Sequence, residues 1–415
     1  MAAEVPCPLP RSGVGDTRLG AAFFYICLFL ATAMVGVGIG AMRTTSPQEV
    51  RFAEIFCGVC LALPGLYLWR VTRTSRGSLL LLLLVGAFLA YSCDSLIPAG
   101  VLCGVVFAVA LGSTAISLLP RGKGALIPLL PILAYTVTAA LTRDPVGAVA
   151  VLIPYPPMLA LGLGTRRSAA REDGPTRAGV ITGTSLALGA TLGGMLFLSF
   201  SRHLGTADIT VLLEAAREGL MDYLLEVKLP AELPAESLEA LKELYSYENI
   251  KLLVDSTFNL LPALYTVAVM AMVFICQSLQ FATLRTLGHG SSLTPRVREL
   301  RLSLVACVVF LAAYLVVFLD DSVIISMTSI VAQNIYVILL PGLAVSGIIR
   351  AWKAMTGKGV RALGCLFYLV ILIPCLMVVY PIIPAAIEVI SRLYSAIVEK
   401  LKPKDEDDDL FGGGK

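Results

Sequence analysis

Eleven mostly apolar runs, each about long enough to cross a bilayer, divide this 415-residue chain at short polar breaks. A spanning helix needs about 20 such residues, and in hydrocarbon only a backbone that satisfies its own hydrogen bonds is stable. The runs cover residues 21–41, 52–69, 78–93, 97–119, 125–141, 146–164, 178–200, 256–282, 302–319, 322–349 and 362–383. Composition agrees: 57% of the residues are hydrophobic and 15% charged, where soluble domains carry about half and roughly a quarter. The expected fold is all-α, a polytopic integral membrane protein of about 11 transmembrane helices. A disordered chain, a coiled coil, a disulfide scaffold and a nucleic-acid binder are excluded, the last because acids nearly balance bases.

The first run follows Arg11 and Arg18 but exceeds the roughly 7–15 residues of a signal-peptide core, so it reads as a retained helix. Residues 78–119 are interrupted only by Asp94 and Pro98, which leaves open a tight hairpin or one span with a re-entrant piece. Sidedness follows from the bases. Arg70, Arg73 and Arg76, then Arg166, Arg167, Arg171 and Arg177, then Arg285, Arg296, Arg298 and Arg301, then Arg350, Lys353, Lys358 and Arg361 fall in alternate connections. Arg121 and Lys123 fall in the same set, and the short connections of the other set hold only Arg43, Arg51 and Arg143. Cytoplasmic loops are the basic ones, so the N-terminus is expected inside the cell membrane. The long 201–255 loop and the C-terminus are then expected outside.

Four regions follow: a seven-span region at 1–200, an extracytoplasmic loop at 201–255, a four-span region at 256–384, and a tail at 385–415. In the loop, Ile209, Leu212, Leu213, Ala216, Leu220, Tyr223, Leu224 and Val227 recur at threes and fours, one stripe of an amphipathic helix that Asp208 can cap. A second run from Glu236 carries Leu238, Leu241 and Leu244, so the loop reads as a helical hairpin on the outer face. The tail opens with an amphipathic piece at 385–402 and ends acidic, Asp405 to Asp409, with a disordered reading for the end.

Chemistry has few candidates. Nine of the ten cysteines lie in or beside spans, where free cysteine is a small hydrophobe. Cys57-Gly58-Val59-Cys60 has dithiol spacing without a strand-to-helix context, and His203 and His289 form no metal motif. No catalytic residue, metal or cofactor is therefore expected. Gly36 and Gly40, Gly179 and Gly183, and Gly189 and Gly193 give the spacing that lets helices approach closely. Pro128, Pro131, Pro154, Pro156 and Pro157 are expected to kink spans five and six or break their ends. Polar groups at membrane depth are the better pointers, because burying them alone is costly. Asp94, Arg143, Asp255, Asn259, Asp320 and Asp321 cluster at outer span ends, with Arg143 and Asp144 read as a self-neutralising turn. Gln277, Gln280, Gln333 and Asn334 lie deeper. Asp94, Arg143, Asp255, Asn259, Gln277, Gln333 and Asn334 are the candidate solute-binding residues.

Two stretches resemble a family. Leu260-Leu261-Pro262-Ala263-Leu264, opening a span that ends Thr283-Leu284-Arg285-Thr286-Leu287-Gly288, resembles a signature of the YybS-like predicted membrane proteins of bacteria. Asn334-Ile335-Tyr336 through Leu340-Pro341-Gly342-Leu343-Ala344-Val345-Ser346 to Arg350 and Lys353 is similar to that family's next block. The resemblance implies a first six spans laid out like the substrate-capturing subunits of energy-coupling-factor transporters. Gly36 and Gly40 would then dock a coupling subunit that works with an ATPase. The reading is a protein that binds or transports a small solute without covalent chemistry, with neutral or cationic solutes favoured by the acidic outer face. The rival reading is a non-transporting scaffold for envelope or signalling proteins.

Overall fold

The computed structural model describes residues 18–44, 46–71, 76–118, 127–170, 175–226, 245–289, 302–319, 327–357 and 382–401. Among these residues every regular element is helical. Seven helices are long and apolar enough to cross a membrane, and three more apolar helices are shorter, Arg76–Ser92, Leu129–Thr142 and Leu304–Phe318. The expected run at 362–383 lies almost wholly outside the described residues, so about eleven crossings becomes seven long candidates here.

The chain divides into two compact units. The first comprises Met1–Val254 and Ala268–Glu299. Its helices are α1 (Arg18–Ala41), α2 (Pro47–Val71), α3 (Arg76–Ser92), α4 (Leu96–Leu118), α5 (Leu129–Thr142), α6 (Pro145–Ala150), α7 (Tyr155–Ala170), α8 (Arg177–Leu204) and α9 (Ile209–Leu225). It also takes in most of α10 (Tyr247–Leu284), which runs on into a π-helical turn, Arg285–His289.

α4 is the centre of this unit, packed against α1, α2, α3 and α7 and buried at nearly every position from Ile97 to Ile116. A helix apolar all round belongs inside a bundle, and Gly100, Gly104 and Gly112 let α1, α2 and α7 come close. α2 and α3 instead leave Ile55, Leu66, Leu84 and Phe88 exposed, the pattern of a lipid-facing surface. The 78–119 region forms two antiparallel-capable helices joined by a tight turn in which Asp94 takes a left-handed φ of 48°. α3, with 17 residues, is about 25 Å long, short of the roughly 30 Å hydrocarbon layer. The sixth expected span is broken at 151–154, where Pro154 ends one piece and α7 begins.

Gly205, at φ 68°, ends α8 in the left-handed conformation that glycine adopts freely. Asp208 then caps α9, accepting from the backbone N–H of Thr210 at 2.9 Å and from its hydroxyl at 2.7 Å. These bonds, the hydroxyl first, hold the Asp208 carboxyl below the ordinary aspartate value. Leu212 is buried and Leu220 and Leu224 half-buried, while Ile209, Leu213 and Tyr223 are exposed. The second arm of the expected hairpin, from 236 to 244, lies outside the described residues.

The second unit comprises Asp255–Val267 and Leu300–Lys415. Its helices are the middle of α10, α11 (Leu304–Leu319), α12 (Met327–Gly357) and α13 (Ile382–Leu401). Cys307, Phe310, Leu343, Ala385 and Val389 form its core, and the ring of Phe310 stacks on Tyr336 at 5.4 Å between centroids. Gly347 admits the backbone of Pro384, the closest approach of α12 to α13.

One expectation about the tail is corrected here. The sequence reading puts Arg350 inside and residues 385–402 outside, separated by a crossing. Arg350 Nε instead donates to the buried Glu388 carboxylate at 2.7 Å, and its Nη2 to the other oxygen at 3.2 Å. Glu388 lies only six residues into α13, about 9 Å along it. A full crossing of about 30 Å cannot separate the two groups. The start of the tail helix therefore packs beside the C-terminal part of α12. It also turns its polar side inward: Glu388 and Arg392 pair at 2.9 Å, while Ile383, Ile387, Ile390, Tyr394 and Ile397 are exposed.

Candidate functional site

A cleft of about 270 Å³ opens in the first unit between the C-terminal ends of α1 and α5 and the start of α2. Val37, Gly40, Ala41 and Thr44 line it from the α1 side, Gln48, Glu49, Phe52 and Ala53 from α2, and Leu141 and Thr142 from α5. Local chemistry shapes its mouth. α1 ends at Ala41, and Pro47 opens α2, where its missing N–H costs nothing. Thr44 organises the turn between them: its hydroxyl donates to Glu49 Oε2 at 2.6 Å and accepts from the Ser46 N–H at 3.3 Å. Glu49 sits in the first turn of α2, where a carboxylate is favoured by the unpaired N–H groups.

A second turn braces the first. Asp144 caps α6, accepting from the N–H groups of Val146 at 3.0 Å and Gly147 at 3.3 Å, and its carboxylate also meets Arg43 at 3.5 Å. Asp144 thus pairs across to Arg43, whereas the sequence reading had it neutralise the adjacent Arg143. Arg143 itself is exposed and in the left-handed region, φ 52°.

The floor of the cleft is closed by glycine contacts. A Cβ on Gly36 would stand 2.5 Å from Val151, 2.7 Å from Thr138 and 2.8 Å from the Gly147 carbonyl oxygen. One on Gly147 would stand 2.7 Å from the Gly40 Cα. Helices α1 and α6 therefore touch backbone to backbone. One turn beneath Thr142, the fully buried Thr138 hydroxyl has no hydrogen-bond partner among the described residues. Of the other glycine pairs, Gly183 meets nothing within 4 Å and Gly179 only Thr176 and Pro175.

A second polar cluster joins α4, α7, α8 and α10. Gln280 Nε2 donates to the Ser117 hydroxyl at 3.0 Å, and Thr165 donates to Gln280 Oε1 at 3.2 Å. Arg177 Nε donates to Gln277 Oε1 at 2.8 Å, with its guanidinium over the rings of Phe274 and Phe281 at 5.2 and 5.4 Å. Gln277 and Gln280 are 1% and 0% exposed, and Gln277 Nε2 has no partner. These contacts are those of an interhelical belt: each amide ties one helix to another.

In the first unit the candidate binding residues occupy three different places. Gln277 belongs to the interhelical belt. Asp94 is exposed in the α3–α4 turn and Arg143 in the α5–α6 turn. In the second unit, Asn334 Oδ1 accepts from the Ala263 N–H at 3.1 Å and its Nδ2 donates to the Asn259 carbonyl at 2.8 Å, a structural clasp. Gln333 is half-buried beside it, and Asp320 and Asp321 lie outside the described residues. His203 belongs to the last turn of α8 and His289 to the π-helical turn, not to loops. Cys57 and Cys60 are buried free thiols, and no group of metal-ligating side chains gathers among the described residues.

Thr44, Gln48 and Glu49 were not singled out by sequence, since they carry no motif and sit at the junction of α1 and α2. Only their proximity to Thr142, about a hundred positions on, makes a cleft of them. Compared with protein-family models, curated proteins and solved structures, the chain matches none.

Proposed function

We propose that this chain is a multi-span membrane protein that captures a small neutral or cationic solute in the α1–α2–α5 cleft, without covalent chemistry. The observation that carries the reading is the cleft itself: concave, mixed in polarity, and braced by the Thr44–Glu49 and Arg43–Asp144 contacts. Ligand sites are concavities with mostly apolar walls and a few placed polar groups. The sidedness of bases supports an outward mouth, because the cleft lies at the start of α2 and Arg70 near its far end, 25 residues of helix away in all. The likeness to YybS-like proteins and to the layout of substrate-capturing subunits accords with this role, and Gly36 and Gly40 then serve internal packing.

The rival scaffold reading draws on α9, whose Ile209, Leu213 and Tyr223 are exposed. Both readings meet in one experiment: mild-detergent purification of the full chain and of Thr44→Trp, which fills the cleft mouth, followed by mass spectrometry of bound molecules. Solute capture predicts a near-stoichiometric small molecule that Thr44→Trp loses. Recovery of protein partners with no small molecule, or of a molecule that Thr44→Trp retains, would turn the reading to the scaffold role or to another site.

A further inference from the structure

The cleft's donors and acceptors specify more than a small solute. Resting on the solute-capture reading, we propose that the cleft binds a small organic ammonium ion, its charged head at Glu49 and its hydrocarbon part against Phe52, Val37 and Leu141.

Charge comes first. The only ionisable side chain lining the cleft is Glu49, and the nearest base in the turn, Arg43, is engaged by Asp144. A carboxylate with no lining base repels anions and attracts cations. Hydrogen bonding comes second. Glu49 Oε2 accepts from Thr44, and among the described residues its Oε1 and the Gln48 amide, both on exposed side chains, take no protein partner. An ammonium group brings up to three donors and no acceptor, which suits the remaining carboxylate oxygen.

The apolar share of the wall separates an organic ion from an inorganic one. Calcium asks for six to eight oxygen ligands and magnesium for an octahedral set. Here the Thr142 hydroxyl is already committed, donating to the Thr138 carbonyl at 2.9 Å and accepting from the Asp144 N–H at 3.4 Å. Six of the ten lining residues are Val, Gly, Ala, Phe or Leu, surface that a hydrocarbon chain covers and a bare ion does not. Phe52, stacked on Phe56 at 6.3 Å, gives the largest part of it. A cleft of about 270 Å³ has room for an amine of a few carbons.

The test is equilibrium binding to the full chain in zwitterionic nanodiscs, with n-butylammonium as probe and n-butanol and butyrate as its neutral and anionic counterparts. Wild type, Glu49→Gln, Glu49→Asp and Thr44→Trp are compared after thermal unfolding shows each folded. The expected result is saturable n-butylammonium binding, at least tenfold weaker in Glu49→Gln, largely kept in Glu49→Asp, and lost in Thr44→Trp. Butanol should bind at least tenfold more weakly and butyrate not at all. Equal binding of butanol and butylammonium, or an unaltered Glu49→Gln, overturns the ammonium assignment while leaving the cleft as a solute site if Thr44→Trp abolishes binding. No binding of the probe by wild type also overturns it, and the capture reading is then decided separately by the molecule that copurifies.

Discussion

Arg350 grips Glu388 through two parallel hydrogen bonds, Nε to Oε2 at 2.7 Å and Nη2 to Oε1 at 3.2 Å, and thereby fixes α13 against α12. Arg392 adds a third bond to the same carboxylate at 2.9 Å, and Arg350 Nη1 reaches the Ser391 hydroxyl. The planar fork of arginine suits a carboxylate in this two-point geometry. Glu388 is almost fully buried, so its value lies chiefly in what its loss would leave behind.

Glu388→Gln should therefore destabilise the protein by about 1–3 kcal/mol, the range of hydrogen bonds to charged groups, because two part-exposed guanidinium groups lose the carboxylate that holds them. Replacing Arg350, Glu388 and Arg392 together by Met should cost much less, for no unpaired charge remains. Unfolding titrations in mixed micelles measure both. A triple variant as damaged as Glu388→Gln would contradict the assignment.

Asn334 binds both ends of one helical rung, the Ala263 N–H and the Asn259 carbonyl, beside Pro262, which has no N–H to give. Asn334→Ala should cost about 0.5–2 kcal/mol, the range of interhelical hydrogen bonds in membranes. Hydrogen exchange should quicken at Ala263 first. Uniform exchange changes across α10 with no local peak would argue against the clasp.

The glycines sort into two groups by what surrounds them. Gly36→Ala and Gly147→Ala should each destabilise by about 1–3 kcal/mol, the usual cost of overpacking, because their Cβ atoms would stand under 3 Å from neighbours. Gly183→Ala and Gly194→Ala meet nothing within 4 Å and should be neutral or stabilising by up to about 1 kcal/mol. Thermal unfolding of the four variants in one detergent reads the contrast, and equal effects in both groups would refute it.

Asp208 links α9 to pH. Its carboxyl is held low by Thr210, so its capping contribution is complete above the unfolded aspartate value of about 3.9. It is lost only as the pH falls through the lower, folded value. An NMR titration of the Thr210 amide should show a midpoint below that of the same aspartate in an unfolded peptide, and Asp208→Asn should abolish the transition. A midpoint at or above the peptide's would contradict the cap.

How much of this was legible in sequence differs by feature. Apolar runs give helices directly, because hydrocarbon leaves the backbone no alternative, and Asp208 before an apolar stripe marks a helix start. The break at 151–154 is hinted at by Pro154, Pro156 and Pro157. The cleft was not legible, since Thr44 and Glu49 meet Thr142 only through the packing of α1 on α5. Nor was the Arg350–Glu388 pair, whose 38-residue separation let charge counting place its members on opposite faces. Gln277 and Gln280 stand out as amides at membrane depth, but only packing reveals that they join helices.

The proposed capture site requires the α1–α2–α5 cleft to open to water on the side opposite the basic connections. Labelling of single cysteines by a membrane-impermeant maleimide reads this most directly, Gln48→Cys at the mouth and Arg285→Cys at the basic end, with Cys93 replaced by serine. The account predicts that Gln48→Cys reacts in intact cells and slows when Thr44→Trp is added, while Arg285→Cys reacts only in inverted vesicles. Reaction of both from one side, or of Gln48→Cys only from the inner side, would contradict it.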